Sequence, residues 1–313
     1  KLRLQPRERE TLELTLGYGA ETQAELALVG KPEHLRLERG ELRINAGAAK
    51  APATPGLTVI ANLPRWTLAA LPDLPTTTAV PAGAFLNRIE ARIDHLLIAD
   101  QAFPKMTLQA HREPDGLRID LDSKTLAGRI SVPDQPTPQQ PVNIELKRLH
   151  LRRAEPGIAT DRTGPEPDPR RLPPLALTAA DLRLNDAALG QLRLTARPQS
   201  DDARQIELAL HSEQQQISAS GEWRKTPSGQ ASRLQATLHS PAIGETLTAF
   251  GYPGAGIARG ATEAELIAQW PAALPDFALE RIEGVLTFQV GPGQLLDLDP
   301  GMGRMVGLFN VQN

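Results

Sequence analysis

Residues able to do acid–base or metal chemistry are sparse in this 313-residue chain. Its histidines are His34, His95, His111, His150, His211 and His239. No two stand at the i, i+4 spacing that sets a pair of imidazoles on one helical face for zinc. Cysteine is absent, which removes thiolate ligation, a cysteine nucleophile and any disulfide. His34 precedes a strand-like run, His150 lies between Leu149 and Leu151 on the face opposite to them, and His211 and His239 fall at strand ends. All are read as solvated strand histidines. Asp297-Leu298-Asp299-Pro300-Gly301 offers two acids of a calcium loop but neither the third nor the closing Glu, so a capped turn in water is expected. Gly301, Gly303 and Gly307 place the third glycine one position late for a dinucleotide fingerprint, with no βαβ pattern around them. Gly254-Ala255-Gly256 lacks the Gly-Lys-Ser/Thr of a P-loop, and no serine occupies a Gly-x-Ser-x-Gly elbow. The chain is read as non-enzymatic, with no catalytic residue, no cofactor and no metal.

Composition narrows the binding classes. Lys and Arg number 34 against 37 Asp and Glu, a net charge of −3, where a nucleic-acid binder needs a clustered cationic surplus. Aromatics are 4 %, too few for a base-stacking platform or a sugar cleft. With 40 % hydrophobic and 23 % charged residues the chain belongs among ordered proteins, and 28 prolines and 25 glycines punctuate many short elements. No run of about 18 apolar residues is present for a membrane-spanning helix.

The elements that would position any site are strands. Leu12-Glu13-Leu14-Thr15-Leu16 alternates apolar and polar, so its leucines share one face of a strand. The pattern returns at Leu117-Arg118-Ile119-Asp120-Leu121, Ile144-Glu145-Leu146, Leu182-Arg183-Leu184 and Leu192-Arg193-Leu194. It continues at Ile206-Glu207-Leu208-Ala209-Leu210 and Val285-Leu286-Thr287-Phe288. Turn signals such as Pro114-Asp115-Gly116 and Ser228-Gly229 separate the runs at roughly 8–12 residue intervals. One apolar and one charged face per strand predicts an antiparallel sheet with a wet side. Between Leu146 and Leu149 the apolar parity slips, which predicts a β-bulge. Short helices are expected at Pro64–Leu71, Ile243–Phe250 and Gly303–Val311.

Composition shifts divide the chain into strand-rich segments 1–71, 85–154 and 175–313, a Pro/Thr/Ala-rich linker 72–84 and a Pro-rich loop 155–174. The apolar face is built from Leu, Ile and Ala rather than interlocking aromatics, a smooth lining suited to fluid hydrocarbon. The competing reading is a structural or scaffolding β protein whose apolar face is a closed core.

Further motifs bear on the choice. Leu172-Pro173-Pro174-Leu175, Ala188-Leu189-Gly190-Gln191-Leu192 and Gly221-Glu222-Trp223-Arg224 are followed by Leu266-Ile267-Ala268-Gln269-Trp270-Pro271 and Pro275-Asp276-Phe277. Next come Ile282-Glu283-Gly284-Val285-Leu286, Gly293 to Gly301 and Gly303-Arg304-Met305-Val306-Gly307-Leu308. This order resembles the C-terminal portion of the AsmA-like envelope proteins, in their YhdP branch. It is specific over residues 172–308, whereas earlier residues share only strand texture and Leu63-Pro64-Arg65-Trp66.

The resemblance implies an all-β fold: an elongated, curved antiparallel sheet forming an open hydrophobic groove, taco-like, with a few short helices. It implies a periplasmic bridge, anchored in the inner membrane by an N-terminal helix absent from this chain, that carries phospholipid to the outer membrane or its proteins. Asn313 would fall inside the closing helix. The lipid-lining candidates are Leu117, Ile119, Leu121, Ile144, Leu146, Leu182, Leu184, Leu192, Leu194, Ile206, Leu208, Leu210, Leu286 and Phe288.

Overall fold

A computed structural model describes residues 2–7, 11–31, 34–68, 86–98, 101–152, 167–185, 187–250, 260–276 and 282–291. The fold is all-β, and the chain divides after Gln135 into two compact units. The first contains β1 (Leu2–Arg7), β2 (Thr11–Tyr18), β3 (Thr22–Val29), β4 (Arg36–Ile44), β5 (Gly56–Leu68), β6 (Leu86–Ile98), β7 (Gln101–Glu113), β8 (Gly116–Asp122) and β9 (Leu126–Pro133). The second contains β10 (Val142–Leu151), β11 (Leu175–Leu184), β12 (Ala187–Ser200), β13 (Ala203–His211), β14 (Gln216–Thr226) and β15 (Gly229–Ser240). After helix α1 (Ile243–Ala249) it ends with β16 (Thr262–Trp270) and β17 (Glu283–Val290). Within each unit every strand pairs with its neighbours in sequence.

Most pairings are antiparallel, as the wet-face pattern requires, but β4/β5, β5/β6 and β10/β11 are parallel. A parallel neighbour needs a connection long enough to carry the chain back along the strand. These pairs are joined through residues 45–55, 69–85 and 152–174, although a long connection also joins the antiparallel pair β15/β16. The turns at Pro114-Asp115 and Pro227-Ser228 close hairpins as their composition predicts.

The helix expected from Pro64 is instead the end of β5, which stays in register with β6 as far as Leu68 opposite Ile98. Pro64 falls between the paired residues Leu63 and Arg65, so the sheet absorbs the missing N–H where proline-at-N1 reasoning looked for a helix. The helix expected at Ile243–Phe250 is α1, with Phe250 as its C-cap. The helix expected at Gly303–Val311, the Asp297 loop, the late glycines and Gly254-Ala255-Gly256 lie outside the described residues.

The phase slip in β10 is present and shared. Leu146 pairs with Ala179 and Leu149 with Leu182, a three-residue step on both β10 and β11. Across the same interval β12 advances only from Leu192 to Gly190, so the extra residue is a bulge on β11. Gly190 has φ +98, and a Cβ there would lie 2.1 Å from the His211 carbonyl oxygen, so only glycine fits. In the first unit β5, β6 and β7 make a concerted step of the same kind. Leu63, Ile93 and Met106 are in register, and three residues on so are Trp66, Leu96 and Phe103. Ile93, Leu96, Met106 and Phe103 are all buried, so burial follows the slip.

Candidate functional site

Pairing register turns the strand pattern into continuous rows. In the second unit Ile144 pairs with Leu177, and the row runs on through Leu194, Leu208, Ala219, Ala236 and Leu266 to Leu286. Every member across eight strands is aliphatic. A parallel row runs from Leu146 through Ala179, Leu192, Leu210, Ile217, Leu238 and Ala264 to Phe288. A third links Val142, Leu175, Ala196, Ile206, Gly221, Leu234, Ala268 and Gly284. One residue over, the register gives Glu145, Thr178, Arg193, Ala209, Ser218, Thr237, Glu265 and Thr287, the wet face.

The first unit repeats the arrangement. Leu16, Ala24, Leu42, Val59, Ile89, Ala110, Ile119 and Ile130 form one aliphatic row over β2–β9. Beside it Thr15, Glu25, Glu41, Thr58, Arg88, His111, Arg118 and Ser131 form a polar one. Ion pairs such as Arg129–Asp120 and Arg118–Glu113 lace that face at 2.9 and 3.1 Å.

The central row of the second unit is half-buried from Ile144 to Leu266, and Leu286 is exposed, so the described residues of this unit lay no second layer over it. Its flanks differ. Leu182, Leu189 and Leu210 form a fully buried cluster, with Leu149, Leu151, Leu184, Leu192 and Leu208 against it and Ala249 and Phe250 at the end of α1 packed on it. At the opposite strand ends Ala196, Ile206, Gly221 and Ala268 are buried.

The lining candidates are thus distributed. Ile144, Leu194, Leu208 and Leu286 share the central row; Leu146, Leu192, Leu210 and Phe288 the next; Ile206 the third. Leu182 and Leu184 lie past the bulge, in the cluster with α1. Leu117, Ile119 and Leu121 belong to the first unit, where Ile119 is in the long row, Leu121 pairs with Leu108 and Gly128, and Leu117 stands opposite Arg112 and Val132. Leu177, Ala219, Ala236 and Leu266 went unnoticed in the sequence because alanine gives a weak apolar signal and Leu266-Ile267-Ala268 blurs the alternation.

Among the described residues the polar groups form local pairs. One concavity is lined by Glu222, Arg224, Arg233, Gln269, Trp270 and Glu283; Glu222 pairs with Arg224, and Glu283 accepts from Gln269. Among the described residues no three His, Asp or Glu side chains gather as metal ligands. His150 corrects the solvated reading: it is half-buried, 2.9 Å from Asp181. Burial pushes the Asp181 carboxyl up, but hydrogen bonds from His150 and Arg183 outweigh it and hold the group below its ordinary value.

A sheet with continuous aliphatic rows is the architecture expected from the resemblance, and the match to a family model decides the assignment. The model of the YhdP protein family matches residues 1–313. The chain belongs to the YhdP protein family. The match extends beyond 172–308, so the strand texture of the first unit is family sequence too. No curated protein and no solved structure matches the chain. Among the described residues no helix is long and apolar enough to cross a membrane.

Proposed function

We propose that this YhdP-family chain is part of a periplasmic, bridge-like carrier that moves phospholipid between the inner and outer membranes without chemical conversion. Acyl chains rest on the aliphatic rows while headgroups stay in water. The observation that carries this reading is the half-exposed row from Ile144 to Leu286, eight strands of hydrocarbon without a polar interruption. Moving a chain of about 16 carbons through water exposes on the order of 13 kcal/mol of hydrocarbon, at about 0.8 kcal/mol per CH₂. A row of near-identical side chains offers that chain similar free energy at each strand, so it can advance without a deep trap. The charged rows on the other face keep the sheet in water.

The buried cluster of Leu182, Leu189 and Leu210 favours a second reading, a structural wall whose apolar face is closed. Native mass spectrometry with lipid extraction on protein expressed in a Gram-negative host separates the two. Carriage predicts co-purifying phospholipid that is lost when a carboxylate is placed at Leu208 in a still-folded protein. Protein that is folded and lipid-free before any substitution defeats the carrier reading.

A further inference from the structure

The second unit's aliphatic rows end, at both strand ends, in buried residues of quite different character. Arg204, Trp223, Ser232 and Trp270 are in register and continue the apolar parity of Ile206, Gly221, Leu234 and Ala268. They are buried, at 8, 5, 3 and 3 % exposure, and their polar atoms are bonded to two chain segments crossing this end, directly for three of them and through Gln230 for Trp223. The Arg204 guanidinium donates to the carbonyls of Leu172 at 2.8 Å and Arg170 at 3.0 Å, as well as to Ser200 and Ala203. Trp223 Nε1 donates to Gln230 Oε1, whose amide donates on to the Pro167 carbonyl, both at 2.7 Å. Ser232 and Trp270 donate to the carbonyls of Ala272 and Ala273.

The other ends repeat the device with α1. Ser240 and Thr262 are in register and buried, again on the apolar parity. Ser240 Oγ lies 2.9 Å from Thr246 Oγ1 of α1, and that hydroxyl reaches the Gln214 carbonyl at 3.0 Å.

Resting on the carrier reading, we propose that these two polar-locked borders confine acyl chains to a band that crosses the strands and admits one diacyl lipid abreast. Ile206 and Leu210 are four residues apart, about 13–14 Å at about 3.3–3.4 Å per residue, and both are buried, which leaves the band around Leu208 open between them. Hydrocarbon groups in contact lie about 4–5 Å apart, so the span holds about three such spacings; with Ile206 and Leu210 as its walls, two chains fit side by side between them and a third does not. The occupant is hydrocarbon because the borders already bond their own polar groups. A single peptide segment laid across it would bring N–H and C=O groups that this band cannot satisfy.

The test has two parts, both on the full chain, the first with vesicles of dioleoyl phosphatidylethanolamine and phosphatidylglycerol. A benzophenone amino acid at Leu208 or Ala236 gives lipid adducts, whereas at Arg170 on one border segment or Thr248 on α1 it gives at least tenfold fewer. Equal adducts at all four positions show tails running along the strands over the borders, which overturns the band while sparing the carrier reading. Adducts nowhere remove both. In native mass spectra, single-chain lysophospholipid binds at about twice the number of diacyl lipids; equal numbers overturn the two-chain width.

Discussion

Replacing Leu208 with aspartate gives the sharpest contrast available between an open and a closed apolar face. Leu208 lies on the half-exposed central row, with Leu194 and Ala219 opposite it on the flanking strands. Full burial of a leucine is worth about 1.5–3 kcal/mol, and a half-buried one surrenders roughly half of that. The new carboxylate keeps access to water, so the total cost is about 1–2 kcal/mol. Leu210, two residues on, is 5 % exposed in the cluster with Leu182 and Leu189. There Leu210→Asp forfeits about 2–5 kcal/mol of packing, and desolvation of the carboxylate adds several more. Urea unfolding followed by tryptophan fluorescence reads this unit well, because Trp223 and Trp270 both lie in it. With a slope of about 2–3 kcal/mol per molar, Leu208→Asp moves the midpoint by less than about 1 M, and Leu210→Asp abolishes the transition. Equal damage from the two substitutions would refute the open face, and the carrier reading with it.

Other expected outcomes address the bulge and the borders. Gly190→Ala forces φ +98 on a Cβ that meets a carbonyl oxygen, and should cost about 2 kcal/mol or more in the same urea assay. Burial lowers the pKa of the Arg204 guanidinium, yet the cation is held by four carbonyls; Arg204→Met should cost about 2–3 kcal/mol and speed tryptic cleavage at Arg170 or Arg171 at least tenfold. The hydrogen bond from the Arg170 side chain holds the Asp168 carboxyl below its ordinary value. A depressed folded pKa stabilises fully above the unfolded value of about 3.9, and that contribution disappears as pH falls through the folded one. Acid fluorescence titration of wild type should therefore show a transition that Asp168→Asn weakens; an unchanged profile counts against the contact.

Much of this was legible in the sequence because period-two alternation is a direct projection of a two-faced sheet. Ile206-Glu207-Leu208-Ala209-Leu210 could scarcely read otherwise, and the slip between Leu146 and Leu149 appears as a change of parity. Parallel pairing was not legible, since alternation records which way a side chain points and not which way the neighbouring strand runs. Pro64 misled because a proline at the start of an apolar run has the same local signature whether a helix follows or a strand continues. The borders escaped for a different reason. Arg204 and Gln230 look like solvated polar residues until distant carbonyls at Arg170, Leu172 and Pro167 are brought to them. The motifs that carried the family resemblance, Gly221-Glu222-Trp223-Arg224 and Trp270-Pro271, contain the two border tryptophans.

Strands that pair in sequence order within each unit make it behave as a one-dimensional array, with consequences for how such a chain can lengthen. Stability accumulates strand by strand through adjacent interfaces, much as in stacked repeats, so loss of an outer strand need not melt the middle. Duplicating a hairpin such as β13–β14 restores both the strand direction and the inward parity at the junction, leaving every row aliphatic. A single added strand would reverse the polarity of all that follow. Growth by pairs is the only growth the ladder tolerates without redesign, and the parallel joints at β4/β5/β6 and β10/β11 mark where that bookkeeping restarts.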